Sequence, residues 1–137
     1  MFEPVMGRLE EGPGELAVPV DGDALVRVAR LRDRLEAVLA TAVDDFDRAG
    51  VWELEGATSI TAWLRDRGGM ARPQAARLLA AGRRFRELPV LAAAAKDGTL
   101  SGGQVQAVVS TPDGATVPVF AAQQAELVPT LAVLGPA

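Results

Sequence analysis

Arginine is the residue of this sequence best equipped for chemistry. Seven of the thirteen arginines fall in "GATSITAWLRDRGGMARPQAARLLAAGRRFRELP", residues 56–89, beside only two acids, although the formal net charge of the chain is -4. A guanidinium stays charged at physiological pH and presents a rigid fork of donors, which suits phosphate oxygens. Arg65, Arg67, Arg72, Arg77, Arg83 and Arg84 are therefore the candidate nucleic-acid contacts, and double-stranded DNA is the partner their charge fits. Two other readings stand beside this one. The arginines are equally expected on a solvated helical face, where their stems cover apolar core, or against an acidic protein. Thirteen Arg to one Lys, with abundant Ala and Gly, also fits a high-GC bacterial genome.

Other chemistries are poorly served. The chain has no Cys and no His, so thiol nucleophiles, thiolate zinc sites and the usual neutral-pH general base are excluded. Asn and Tyr are missing too. No catalytic residue, metal site or cofactor is expected, and an enzyme with its own active site ranks behind the other readings. "LSGGQ", residues 100–104, spells the signature of ABC-transporter ATPases, yet the phosphate-binding loop that must accompany it is absent and Lys96 is the single lysine. Ser101 reads instead as a helix cap. "DDFD", residues 44–47, puts Asp44 and Asp47 three apart, a spacing that could share a hard cation; Asp44 is better read as the surface partner of Arg48 at i, i+4. Trp52 and Trp63 read as core or helix-edge anchors.

These groups need a frame, and the spacing of apolar residues predicts one made of helices. Residues 1–20 show no apolar period and read as a flexible lead-in. Asp21 or Asp23 caps a long helix whose stripe is Leu25, Val28, Leu31, Leu35, Val38, Ala42 and Phe46, ended by Gly50. A short helix starts at Thr58 or Ser59, with Ile60, Trp63 and Leu64 on one face, and stops at Gly68-Gly69. The next opens at Pro73 and turns Ala75, Leu78, Leu79, Gly82 and Phe85 inward as far as about Leu88. Pro89 opens another helix that Gly98 closes, and Ser101 with Gln104 forms a capping box for a fifth. "STPDG" is a turn, and a last helix runs from about Thr116 with Pro129 kinking or ending it.

The fold expected is all-α: a compact multi-helix domain over residues 21–137, with a long N-terminal helix and a helix-turn-helix-like pair. In such a pair the second helix enters the major groove and flanking arginines neutralise phosphates. Its outward first turns offer Pro73, Gln74, Ala76 and Arg77, which is sparse equipment for reading bases. No stretch is long and apolar enough for a membrane span and the N-terminus has no leader pattern, so a cytoplasmic location with no membrane partner is expected.

Gly56, Ala57, Ser59, Ala62, Trp63, Leu64, Ala75, Leu88, Pro89, Gly98, Leu100 and Ser101, in that order, carry a resemblance to the bacterial family known as domain of unknown function 222. It extends over roughly residues 24–135. Members of that family typically precede a C-terminal HNH endonuclease domain, so the resemblance implies a DNA-associated, helical accessory role. The histidines and asparagine that name HNH chemistry are missing here, and the later helices of the family domain are not evident. The expectation is an incomplete, truncated or excised family domain without catalysis of its own. Two functions follow: a helical accessory module of an HNH-type protein that touches DNA through its arginines, or a structural, oligomerising scaffold without nucleic-acid binding. Apolar helix faces left uncovered would favour self-association.

Overall fold

A computed structural model describes residues 1–109, and these fold as α-helices with one 3-10 turn and no strand among the described residues. The all-α expectation holds. The turn "STPDG" and the helix from about Thr116 lie outside the described residues.

The lead-in departs from its reading. Phe2–Glu11 form α1, in which Phe2, Val5, Met6 and Leu9 recur at helical spacing, followed by a 3-10 turn at Pro13–Glu15. Helix α1 buries none of its side chains. Next comes α2, Gly22–Ala49. The Asp21 carboxylate accepts the backbone N–H groups of Asp23 and Ala24 at its N-terminus, and Gly50 ends it in the left-handed conformation, φ 69°. A single extra turn, α3, covers Val51–Leu54. Helices α4 (Ile60–Asp66), α5 (Arg72–Glu87), α6 (Pro89–Asp97) and α7 (Gly102–Val109) follow close to the expected boundaries.

The face by which α2 enters the core is not its leucine stripe. Leu31, Leu35 and Val38 are 45, 45 and 51% exposed, whereas Ala37, Ala40, Val43 and Asp44 are buried on the opposite side. Gly82 of α5 supplies the reason. A Cβ at that position would fall on the Ala40 carbonyl oxygen and 2.8 Å from the Asp44 Cβ. The two helices touch backbone to backbone, and such an approach admits alanine and excludes leucine.

Around this crossing the core has two parts. Leu78, Leu88, Leu91 and Leu100 are almost fully buried and gather α2, α5, α6 and α7. Val43, Ile60, Leu64, Ala75 and Leu79 join the C-terminal half of α2 to α4 and α5. Full burial of one such leucine stabilises by roughly 1.5–3 kcal/mol, so these few side chains set the positions of the helices. No helix among the described residues is long and apolar enough to cross a membrane.

Candidate nucleic-acid interface

Helix α4 begins because Ser59 Oγ accepts the Ala62 N–H at 3.0 Å. It closes through a bond from Met70 N–H to the Leu64 carbonyl, 3.1 Å, wrapped around Gly68. A Cβ on Gly68 would lie 2.7 Å from that same carbonyl oxygen, so the tight turn requires glycine there. Pro73 then sits in the first turn of α5, where its missing N–H has no helical partner to lose. Ala75, Leu78, Leu79, Gly82 and Phe85 are all buried, the face expected from their spacing. The arginines between them must therefore point outward.

Outward does not mean free. Arg65 Nε donates to Asp66 Oδ1 at 2.9 Å. That hydrogen bond and the Asp66 charge raise the guanidinium's affinity for its proton, and the same bond holds the Asp66 carboxyl below its ordinary value. Arg67 lies 3.6 Å from Glu55 and 5.6 Å above the Trp63 ring. Arg77 lies 3.4 Å from Glu36 on α2, and Arg84 donates to Glu87 at 3.1 Å with only 20% of its side chain exposed. Arg72 and Arg83 are exposed and hold no carboxylate among the described residues. Four of the six candidates are thus tied to acids, and two are not. The ion pairs at Arg65, Arg67 and Arg77 are exposed, and pairs of that kind contribute little to stability, so they can exchange their partners.

At 100° per residue, Arg72 and Arg83 fall within about 20° of one another on α5, as do Arg77 and Arg84 on a second line. The exposed Ala76 and Ala80 lie between the two lines. The outer face of α5 thus carries Ala76 and Ala80, with the exposed Pro73 and Glu87 at its two ends, between two arginine lines.

Several neighbours of the site were not legible from spacing. Asp44 pairs with Arg86 of α5 at 3.4 Å, not with Arg48, and Asp47 accepts the Trp52 indole N–H at 3.1 Å. Asp44 and Asp47 of "DDFD" therefore face different partners. Among the described residues no group of three or more His, Cys, Asp or Glu is placed to hold a metal ion. Trp63 stacks tilted on Phe46, centroids 4.6 Å apart, and donates to Glu55 at 2.6 Å, which makes both tryptophans helix-edge anchors. An open groove of about 680 Å³ between α2, α5 and α7 has an apolar floor that includes Leu78, Ala81 and Phe85.

Ser101 and Gln104 complete the order of caps. Ser101 N–H donates to Gln104 Oε1 at 2.8 Å and Gln104 N–H donates to Ser101 Oγ at 3.2 Å, both residues buried. The chain belongs to the DUF222 family. That family, described as a domain of unknown function, has a model that matches residues 22–137. No curated protein and no solved structure matches the chain. The DUF222 match starts at the first residue of α2 and leaves α1 outside it. The motif residues of this DUF222 chain serve mainly as structure: Ser59 and Ser101 are caps, while Leu64, Ala75, Leu88 and Leu100 are core.

Proposed function

We propose that this chain is a non-catalytic helical accessory module of an HNH endonuclease-type protein, and that it contacts duplex DNA through the outer face of α5. The observation that carries the reading is the pair Arg72 and Arg83, exposed, without a carboxylate among the described residues, and aligned on one side of α5. Eleven residues of helix separate them by about 16 Å along the axis. The major groove is roughly 12 Å wide, so a helix lying across it would bring these two guanidiniums to phosphates on opposite strands. Ala76 and Ala80 between them allow close approach but read no base, so the contact is with phosphate and shape, not with sequence. Arg77 and Arg84 would join by exchanging Glu36 and Glu87 for phosphate. The nuclease association rests on the family resemblance. With no His and no Asn, the part of this chain is binding.

The test is fluorescence anisotropy of a labelled random duplex titrated with the chain at about 50 and 200 mM salt, where each phosphate contact contributes about 0.9 to the log–log slope. Arg72→Ala/Arg83→Ala should lower the slope by about 1.8, and Arg77→Ala/Arg84→Ala by less. A well-folded chain that binds no duplex at the lower salt would remove this reading. One observation favours a second function, a structural helical scaffold without nucleic-acid binding: four of the six arginines already hold a carboxylate.

A further inference from the structure

The longest helix among the described residues, α2, leaves its most apolar face half exposed. Leu31, Leu35, Val38 and Leu39 of α2 are between 39 and 51% exposed, and Leu35 and Leu39 also border the groove toward α5 and α7. Ala42 extends the same face and is exposed as well. A row of leucine and valine over about two and a half turns, on a helix anchored by Ala37, Ala40 and Val43, has the form of an interface.

The charges of α2 say what fits against it. Residues 22–35 carry four arginines against two aspartates, and residues 36–49 carry four acids against one arginine. A second α2 laid antiparallel would set each basic half against an acidic half and oppose the two helix dipoles; a parallel one would set like against like. Two of the relevant side chains are uncommitted: Arg27 and Asp45 are exposed and hold no partner among the described residues.

We infer that the leucine face of α2 binds a second copy of this chain, antiparallel, in a symmetric pair centred between Leu35 and Val38. In that register Leu35 of each copy packs on Val38 of the other and Leu31 packs on Ala42, large against small. Arg27 of each copy then comes beside Asp45 of its mate, twice over because the two-fold axis repeats every contact. The inference does not rest on DNA binding, since Arg72 and Arg83 take no part in it.

Sedimentation equilibrium on the full chain, from about 1 to 200 µM, brackets the affinity of an interface this small. The mass should rise from the monomer's 14.3 kDa to twice that value. Leu35→Glu/Val38→Glu should raise the dimer Kd about tenfold or more while circular dichroism stays helical. The register has its own signature: Arg27→Asp and Asp45→Arg should each weaken the pair, and the two together should restore it. A dimer that ignores the glutamates, or a charge swap that fails to restore it, would overturn the interface or its direction. A wild-type chain that stays monomeric throughout while Leu35→Glu lowers its melting temperature would also overturn it, since the face would then be covered within one chain.

Discussion

The Asp33 carboxylate, midway along α2, accepts the backbone N–H of Gly102 at 2.9 Å, across 69 residues of sequence. Next to it, Arg34 Nε donates to the Lys96 carbonyl at 2.9 Å. One helix turn of α2 thus holds a carbonyl in the last turn of α6 with a cation and the first N–H of α7 with an anion, the polarity that helix dipoles favour. Gly102 is glycine for the same reason: a Cβ there would lie 2.7 Å from Asp33 Oδ1. Within the "SGG" of residues 101–103, Gly102 answers to Asp33 of α2 and Ser101 to Gln104.

Asp33→Ala should cost about 1 kcal/mol, as loss of a helix cap does. Gly102→Ala should cost a comparable amount, because its methyl group displaces the carboxylate. Both changes break one contact, so the double variant should cost clearly less than the two singles together. Urea denaturation of the four proteins measures this, and strict additivity would show that the contact contributes nothing.

Gly82→Ala should be among the most damaging single changes in the chain. The added carbon meets the Ala40 carbonyl and the Asp44 Cβ, both backbone-anchored, so α5 must move off α2. Overpacking of this kind costs about 1–3 kcal/mol. That loss lowers the melting temperature by roughly 3–4 °C per kcal/mol for a chain of this size. Ala76→Gly on the outer face of α5 should cost only the helix-propensity difference, about 1 kcal/mol.

Asp44 is buried and Arg86 is its cation. Arg86→Ala should cost about 1–3 kcal/mol, the penalty for leaving a buried acceptor short of its partner, reduced because the Arg86 side chain is 44% exposed and water can take its place. Arg48→Ala, which touches neither, should stay within about 0.5 kcal/mol of wild type. Equal effects from the two variants would mean that Asp44 is solvated in solution.

Asp97 titrates low. The hydroxyl of Thr99, donating at 2.6 Å, and the Thr99 N–H, donating at 2.8 Å, both stabilise its carboxylate and depress its pKa. A group depressed in the folded state stabilises above its unfolded pKa, and that contribution is lost as the pH falls through the folded value. NMR titration should find Asp97 below the ordinary carboxylate range. Thr99→Val should move it part of the way back, since the backbone donor remains. No movement would place the cause elsewhere.

Most of the local structure was legible without a fold. Asp21, Ser59 and Ser101 announce helix starts and Gly50 and Gly98 announce stops, because capping is satisfied within a few residues of itself. The inward face of α5 was equally plain, since its apolar residues sit opposite all its arginines but Arg86. Helix α1 was present in the same code, Phe2, Val5, Met6 and Leu9, but lay hidden among Pro and Gly.

Which side of α2 meets the core was not legible. The helix has an alanine face and a leucine face, and periodicity alone selects the more apolar one. The choice is made at Gly82, where two backbones approach so closely that only the small face fits. The partners of Arg67, Arg77 and Asp44 were equally hidden, since Glu55, Glu36 and Arg86 come from other elements, twelve to forty-two residues away. Short-range hydrogen bonds and helical period let the sequence by itself determine where each helix runs. How closely two helices approach, and which charges then meet, depends on surfaces distant along the chain, and that only the tertiary structure decided.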